Sequence, residues 1–277
     1  MTFRETLLRA QKRLEIYETP YLDALILLTH AAGVGKERIL ASLPETVPEI
    51  TAAFFDELLE RRLKGEPVAY IRNRKEFWGL DFYVDARVLI PRPDTEILVE
   101  EAQRLLAERK GVLRVHDACT GSGCIAVALR HELPDLKVSV SDISSSALEV
   151  AKFNSSSLLG TPLPASVSDL LRGVTGSFDL ITCNPPYVEH EYVQNLLRRG
   201  WPEPLIALDG GDDGYDLIPR LLKEALDRLN KNGYLMVEAS PPLVPRIVSD
   251  MQKAGFGGCR TVEDLGGRQR VALGRRQ

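Results

Sequence analysis

The 277-residue chain contains no apolar run approaching the roughly 18 to 20 residues that span a bilayer, so no membrane segment is expected. Its first residues, Met1-Thr-Phe-Arg-Glu-Thr6, lack the apolar core of a signal peptide, and a cytoplasmic protein is expected. The four cysteines, Cys119, Cys124, Cys183 and Cys259, show no Cys-x-x-Cys spacing; buried, reduced thiols are expected rather than a disulfide framework. His30, His116, His131 and His190 have no partner at metal-ligand spacing, so no metal site is expected and each reads as a surface or packing histidine. There is no basic excess: a net charge of −4 argues against a broad nucleic-acid-binding face. Internal repeats and low-complexity tracts are absent as well.

A hydrophobic fraction of 44% and a charged fraction of 27% are those of a globular domain, and the length suits one large domain or an ordinary one with a small companion. Residues 1–65 read as a helical domain facing the substrate. Thr19-Pro20 supplies a cap and a first-turn proline, Gly33 and Gly65 supply stops, and Phe54, Leu58 and Leu59 fall at helical intervals. Over residues 66–90 the period shortens. Val68-Ala-Tyr-Ile71, Glu76-Phe-Trp78 and Leu80-Asp-Phe-Tyr-Val84 predict a β-hairpin linker. Ile90-Pro-Arg-Pro-Asp-Thr-Glu96 then leads into a helix that Asp94 or Thr95 can cap, and residues 91–277 repeat strand, turn and helix as an α/β domain does.

Within that domain Leu113-Arg-Val-His-Asp117 reads as a strand and Ala118-Cys-Thr-Gly-Ser-Gly123 as a tight turn opening a helix. Val138-Ser-Val-Ser-Asp142 is a second strand with a carboxylate at its end. About twenty residues separate Gly121 from Asp142, the spacing at which a nucleotide-binding βαβ unit sets a carboxylate against ribose hydroxyls. The third glycine of the dinucleotide fingerprint is missing, Ala126 being already helical, which favours a methyltransferase over a dehydrogenase. After a third strand, Asp169 can accept from the adenine amino group and Leu170 can pack on the ring; a helix cap and a core leucine are the plain alternatives.

Phe178-Asp-Leu-Ile-Thr-Cys183 reads as a buried strand carrying Asn184-Pro-Pro-Tyr187 at its carboxyl end, the edge at which open α/β sheets bind ligands. The Asn184 side chain and the Pro185 carbonyl offer two acceptors to one planar NH2 group, with Tyr187 against its plane. Such a clamp suits alkylation of an amide or exocyclic amine, whose delocalised lone pair must be aimed. A simple turn after the strand is the alternative. No His or Glu stands where the sequence would place a dedicated base.

These segments resemble the release-factor glutamine methyltransferases, the HemK/PrmC family. The likeness lies in Pro67-Val-Ala-Tyr-Ile71, Glu76-Phe-Trp-Gly-Leu80, Val88-Leu-Ile-Pro-Arg-Pro-Asp-Thr-Glu96, Asp117-Ala-Cys-Thr-Gly-Ser-Gly-Cys-Ile-Ala126, Asn184-Pro-Pro-Tyr187, Glu203-Pro-Leu-Ile-Ala-Leu-Asp-Gly-Gly-Asp-Asp-Gly214 and Asp264-Leu-Gly-Gly-Arg-Gln-Arg-Val-Ala-Leu-Gly274. The resemblance implies a Rossmann-like class I domain that takes a methyl group from S-adenosylmethionine, leaving S-adenosylhomocysteine. Its acceptor would be the glutamine N5 of the Gly-Gly-Gln motif in peptide chain release factors. The cofactor would lie on Cys119, Thr120, Gly121, Ser122 and Gly123, with Asp142 on the ribose, Asp169 and Leu170 at the adenine, and Asn184 beside it. Asn184, Pro185, Pro186 and Tyr187 would hold the glutamine, with Asn184, Pro185 and Tyr187 as the catalytic set. Cys119 stands where many members carry the first glycine of the turn, so a negative φ is expected there. A monomer without direct nucleic-acid contact is expected. The alternatives are an adenine-N6 methyltransferase acting on DNA or RNA, for which Arg72, Arg74, Lys75, Arg198 and Arg199 could begin a basic track, and a non-catalytic module that senses the cofactor or docks on release factor.

Overall fold

A computed structural model describes residues 1–107 and 109–277. They divide into two units: residues 1–74 with 200–202, and residues 75–199 with 203–277. The first unit is helical. α1 (Phe3–Arg13) starts in a capping box, in which the Thr2 hydroxyl accepts from the Glu5 N–H and the Glu5 carboxylate accepts from the Thr2 N–H at 2.8 Å. α2 (Pro20–Ala32) has proline in its first turn and stops at left-handed Gly33. The short α3 (Lys36–Ala41) escapes a periodicity reading because six residues hold fewer than two turns. α4 (Glu49–Leu63) completes a core in which Phe3, Leu7, Leu28, Phe55, Leu58 and Leu59 are packed together.

Val68-Ala-Tyr-Ile71, expected as a strand, is instead a single helical turn, α5 (Val68–Ile71). It is entered from Pro67, whose carbonyl accepts from both Tyr70 and Ile71 at 3.0 Å. Tyr70 and Ile71 are both buried there, and that burial overrides the local β propensity. The hairpin expected over residues 66–90 is therefore shorter: β1 (Lys75–Phe77) pairs antiparallel with β2 (Leu80–Phe82). Trp78 and Gly79 join them with φ of 54° and 69°, as a two-residue hairpin turn whose twist matches its strands requires.

The second unit continues with α6 (Glu96–Ala107), β3 (Arg114–Ala118), α7 (Cys124–Glu132), β4 (Lys137–Asp142), α8 (Ser145–Leu159) and β5 (Ala165–Val167). Then come β6 (Phe178–Cys183), α9 (His190–Arg198), α10 (Ile218–Arg228), β7 (Leu229–Glu238), α11 (Val244–Ala254), β8 (Phe256–Glu263) and β9 (Gln269–Arg276). Seven strands form one sheet in the order β5-β4-β3-β6-β7-β9-β8; the first five run parallel and β9 is antiparallel to both of its neighbours. Successive residues face opposite layers. Leu180 and Met236 pack with Leu98, Val127 and Leu148 of the helices α6, α7 and α8, while Ile181, Leu235 and Val237 pack with Leu221 and Ile247 of α10 and α11. Both faces are covered, which is why β6 reads as a nearly unbroken apolar run. Chain direction across the sheet reverses its winding between β3 and β6, and the crevice at their carboxyl ends is the place such a sheet offers to a ligand.

His116, in the middle of β3, is a packing histidine. Its Nδ1 and Nε2 lie 2.9 Å from the hydroxyls of Ser139 and Ser141 on the neighbouring β4, and its ring stacks obliquely near Phe178. Burial pushes its pKa down to about 4. A depressed base is neutral when folded, so its contribution is complete above the ordinary histidine pKa near 6.5 and is lost as pH falls towards about 4. His116→Gln should therefore remove roughly 2–3 kcal/mol of the acid destabilisation seen between those limits. Denaturant unfolding of wild type and variant at pH 7.5 and pH 4.5 measures it; parallel loss of stability in the two proteins would contradict it.

Candidate functional site

One cavity opens at the carboxyl ends of β3, β4 and β6. Its lining includes Cys119, Thr120, Gly121 and Ser122 from the turn after β3, Asp142, Ile143 and Ser144 after β4, Ser168, Asp169 and Leu170 after β5, and Asn184 and Pro186 after β6. Val88, Pro91, Arg92 and Thr95 close one side and Pro204, Ile206, Ala207 and Asp209 another. Nine of the predicted positions are thus brought together. Gly123, Pro185 and Tyr187 are outside the lining: Gly123 starts α7, Pro185 is buried behind Asn184, and the Tyr187 hydroxyl turns inward to Glu238 Oε1 at 3.4 Å.

The turn after β3 is tied to its surroundings at several points. Thr120 N–H donates to the Ser141 carbonyl at 3.0 Å, and its hydroxyl donates to Asp117 Oδ2 at 2.6 Å. The other Asp117 oxygen accepts from the Thr182 hydroxyl at 2.7 Å, so one buried carboxyl joins β3, the turn and β6. Burial pushes Asp117 up to about 7, against the pull of the two hydroxyls. Asp142 holds the turn from the other side: Oδ2 accepts from Gly121 N–H and Oδ1 from Ser144 N–H, both at 2.9 Å. Each carboxylate oxygen keeps acceptor capacity, as a residue facing two ribose hydroxyls must. That capacity, an apolar lining of Ile143, Leu170 and Leu217, and the exposed turn backbone fit a nucleoside with a polar tail.

Cys119 departs from expectation. Its φ is 55°, in the left-handed region, where a Cβ costs roughly 1–2 kcal/mol. The bonds that Thr120 and Gly121 make to Asp117, Ser141 and Asp142 hold the turn on either side of it. Leu170 is held the same way, at φ 55°, and is buried. Two strained residues on one cavity fit a binding site better than a packing core. Asp169, the expected adenine acceptor, is already gripped by Arg220 through both oxygens, Nη1 reaching Oδ2 at 2.7 Å.

Three residues hold positions that the sequence reading did not assign to them. Thr95 does not cap α6; the helix is preceded by a turn of 3-10 helix over Pro93–Thr95, and Thr95 Oγ1 accepts from Asn184 Nδ2 at 3.4 Å. Glu203 is buried and receives both Ile90 N–H, at 3.0 Å, and the Arg92 guanidinium, binding the Pro-Arg-Pro segment to the Glu-Pro loop. Glu238, at the end of β7, is a carboxyl next to the Tyr187 hydroxyl and outside the cavity lining. Its side chain is buried behind Tyr187, and burial lifts it to about 7. The burial also holds the Tyr187 phenol above its ordinary range.

The glycine-rich loop is a backing plate for Asn184-Pro-Pro-Tyr187. Val188 N–H donates to the Leu208 carbonyl, Gly210 N–H to the Val188 carbonyl and His190 N–H to the Gly211 carbonyl, each at 2.8 Å. A Cβ at Gly210 would come within 2.7 Å of Tyr187 Cα, and one at Gly214, whose φ is 71°, would overlap the Tyr187 carbonyl oxygen. Gly214→Ala should cost on the order of 2–4 kcal/mol and displace the clamp, so that both the unfolding midpoint and activity fall; unchanged values of both would refute this packing. Conversely, Cys119→Gly relieves the left-handed strain and should raise stability by about 1 kcal/mol, read as a Tm increase of roughly 2–4 °C; a lower Tm would show that thiol packing outweighs strain.

A family model described as the PrmC N-terminal domain matches residues 5–72, and one described as the methyltransferase small domain matches residues 93–199. The release factor glutamine methyltransferase of Rhodopirellula baltica is 38% identical over 268 residues, spanning 92% of this chain and 88% of that one. That of Escherichia coli strain K12 is 34% identical, spanning 99% of each. Among solved structures, a methyltransferase from Pyrococcus furiosus aligns with a TM-score of 0.54 at 20% identity, covering 79% of this chain and 98% of that one, and shares its fold. With relatives of that identity matched from end to end, this chain belongs to the release factor glutamine methyltransferase family.

Proposed function

We propose that this chain methylates the side-chain amide nitrogen of the glutamine in the Gly-Gly-Gln motif of peptide chain release factors, with S-adenosylmethionine as donor. The observation that carries the reading is a single cavity whose lining joins an acidic strand end and a strained backbone turn to the amide of Asn184. When bound, the donor supplies an electrophilic sulfonium methyl group. Asp142 would accept from its ribose hydroxyls, the turn at residues 119–123 would hold its amino-acid part, Leu170 would pack on the adenine, and Asp169, oriented by Arg220, would accept from the adenine amino group.

Asn184 Oδ1 and the Pro185 carbonyl accept the two hydrogens of the glutamine NH2, which aims the lone pair and favours the positive charge that develops on nitrogen. Asn184 has the freedom to do so because its own NH2 end is turned to Thr95. The Pro185 carbonyl takes no backbone hydrogen bond among the described residues. Pro186 and Tyr187 shape the slot. Residues 1–65 recognise the protein substrate, and the chain works as a cytoplasmic monomer on protein and not on nucleic acid.

Asn184→Ala should lower kcat by about a hundredfold, roughly 3 kcal/mol of lost transition-state stabilisation, with little change in the affinity for S-adenosylhomocysteine. Methyl incorporation into release factor, a free Gly-Gly-Gln peptide and DNA, run side by side, tests both halves of the proposal. Near-normal turnover by the variant would defeat the clamp, and preferential labelling of DNA would defeat the substrate.

A further inference from the structure

Among the described residues, the charged side chains that line the cavity are Arg87, Arg92, Asp142, Asp169 and Asp209. All but one are occupied with neighbours. Arg87 spreads Nε and both terminal nitrogens over Asp85 and Glu149, and Arg220 grips Asp169. Asp142 takes the N–H groups of Gly121 and Ser144, while Asp209 takes that of Gly211 at 3.0 Å and lies 2.7 Å from His190 Nδ1. Arg92 differs. Its guanidinium makes a single hydrogen bond among the described residues, from Nη2 to Glu203 Oε2, so all but one of its N–H donors stay unused.

The pair is lopsided. The Glu203 side chain is 2% exposed and also accepts from Ile90 N–H at 3.0 Å, whereas the Arg92 side chain is 41% exposed. A sealed carboxylate thus holds the guanidinium by one nitrogen, and the rest of the fork belongs to a half-exposed side chain on the cavity wall. The backbone beneath it is stiff. Arg92 is extended, at φ −99° and ψ 141°, between Pro91 and Pro93, and its carbonyl accepts from Thr95 N–H at 3.1 Å.

Arg92 also stands at a defined end of the crevice. Asp142 ends β4 and Leu170 follows β5, on one side of β3 in the sheet, while Asn184 follows β6 on the other. Three residues beyond Arg92, Thr95 Oγ1 accepts from Asn184 Nδ2, so the Pro-Arg-Pro segment belongs to the β6 side. A nucleoside with its sugar and base towards β4 and β5 turns its amino-acid tail to that side. The tail ends in a carboxylate, whereas the acceptor amide is neutral. A guanidinium fork is the side chain that matches the two oxygens of a carboxylate.

We propose that Arg92, held in place by Glu203, anchors the amino-acid carboxylate of the methyl donor on the clamp side of the cavity. The proposal rests on the reading of the cavity as an S-adenosylmethionine site, and adds to it a binding residue from outside the strand ends and the glycine turn.

The test compares two ligands that differ by that carboxylate alone, S-adenosylhomocysteine and its decarboxylated analogue, titrated calorimetrically into the intact chain. The wild type should prefer S-adenosylhomocysteine by roughly thirtyfold, within the range of a hydrogen-bonded charged group. Arg92→Met should erase most of that preference, weakening S-adenosylhomocysteine while the analogue stays within about threefold of its wild-type affinity. Arg92→Lys, which keeps the charge and loses the fork, should fall between the two. Equal weakening of both ligands by Arg92→Met would make the pair a structural bolt and overturn the proposal. A preference that survives the substitution would overturn it as well, and a raised KM for release factor in that case would move Arg92 to the acceptor. Should Arg92→Met not fold because Glu203 is left buried without its partner, the double variant Arg92→Met, Glu203→Gln takes its place with the same expectations. A wild type that labels release factor but binds the two ligands equally would overturn the anchor alone. One that shows the preference but labels no release factor would overturn the acceptor assigned above and leave the anchor standing, and one that binds neither ligand would overturn both.

Discussion

Asn184-Pro-Pro-Tyr187 has given up two of its backbone donors to proline, so it cannot be held by continuing the sheet that delivers it. Its position depends on what is packed against it. The loop at residues 208–214 takes on that task, with three 2.8 Å backbone bonds around Val188 and His190 and with glycines where any side chain would collide with Tyr187. The segment is thereby kept stiff without being saturated, and its remaining acceptors stay available to a ligand. A rigid acceptor pair is what an amide nitrogen needs, because its lone pair must be aimed and not merely approached.

The same economy governs the buried charges. Glu203, Asp117 and Glu238 are each almost fully removed from water, a condition that is costly for a carboxylate without partners. Glu203 is matched by Arg92 and the Ile90 N–H, which bolts two loops on either side of the cavity together. Asp117 is matched by two threonine hydroxyls that lock the turn to the strands beside it. Glu238 is the least satisfied of the three, with one oxygen unpartnered and the other at a long 3.4 Å from Tyr187. Incomplete satisfaction in an otherwise well-paired interior marks the place where a change of protonation or of substrate has most to act on.

Strain is concentrated at the same edge. Cys119 and Leu170 both carry left-handed backbone on the cavity wall, and neither is a residue that adopts it freely. The sheet below supplies the stability that tolerates them. Its seven strands are covered on both faces, and the helices that cover them bring no functional side chain into the crevice except through their first turns and the loops ahead of them. Catalytic loops on a rigid frame are the usual division of labour in α/β proteins.

Much of this could be read from residue order alone, because the signals concerned are local. The apolar run ending in Asn184, the glycine turn followed at fixed distance by Asp142, the first-turn Pro20 and the stop at Gly33 are all set by backbone preferences within a few residues. Where the reading failed, distant residues had decided the outcome. Val68–Ile71 looks like a strand until its burial is known; Thr95 looks like a helix cap until Asn184 is found beside it; Cys119 looks relaxed until the bonds that fix its turn are drawn. Glu238 lies 54 positions from Asn184 in the chain (238 less 184) and comes level with it only because β7 pairs in register with β6. Residue order by itself determined the strands and the glycine turn, since each follows from short-range sterics and hydrogen bonding. Only the tertiary structure decided which carboxyl stands behind Asn184 and Tyr187, since that depends on pairing between strands far apart in sequence.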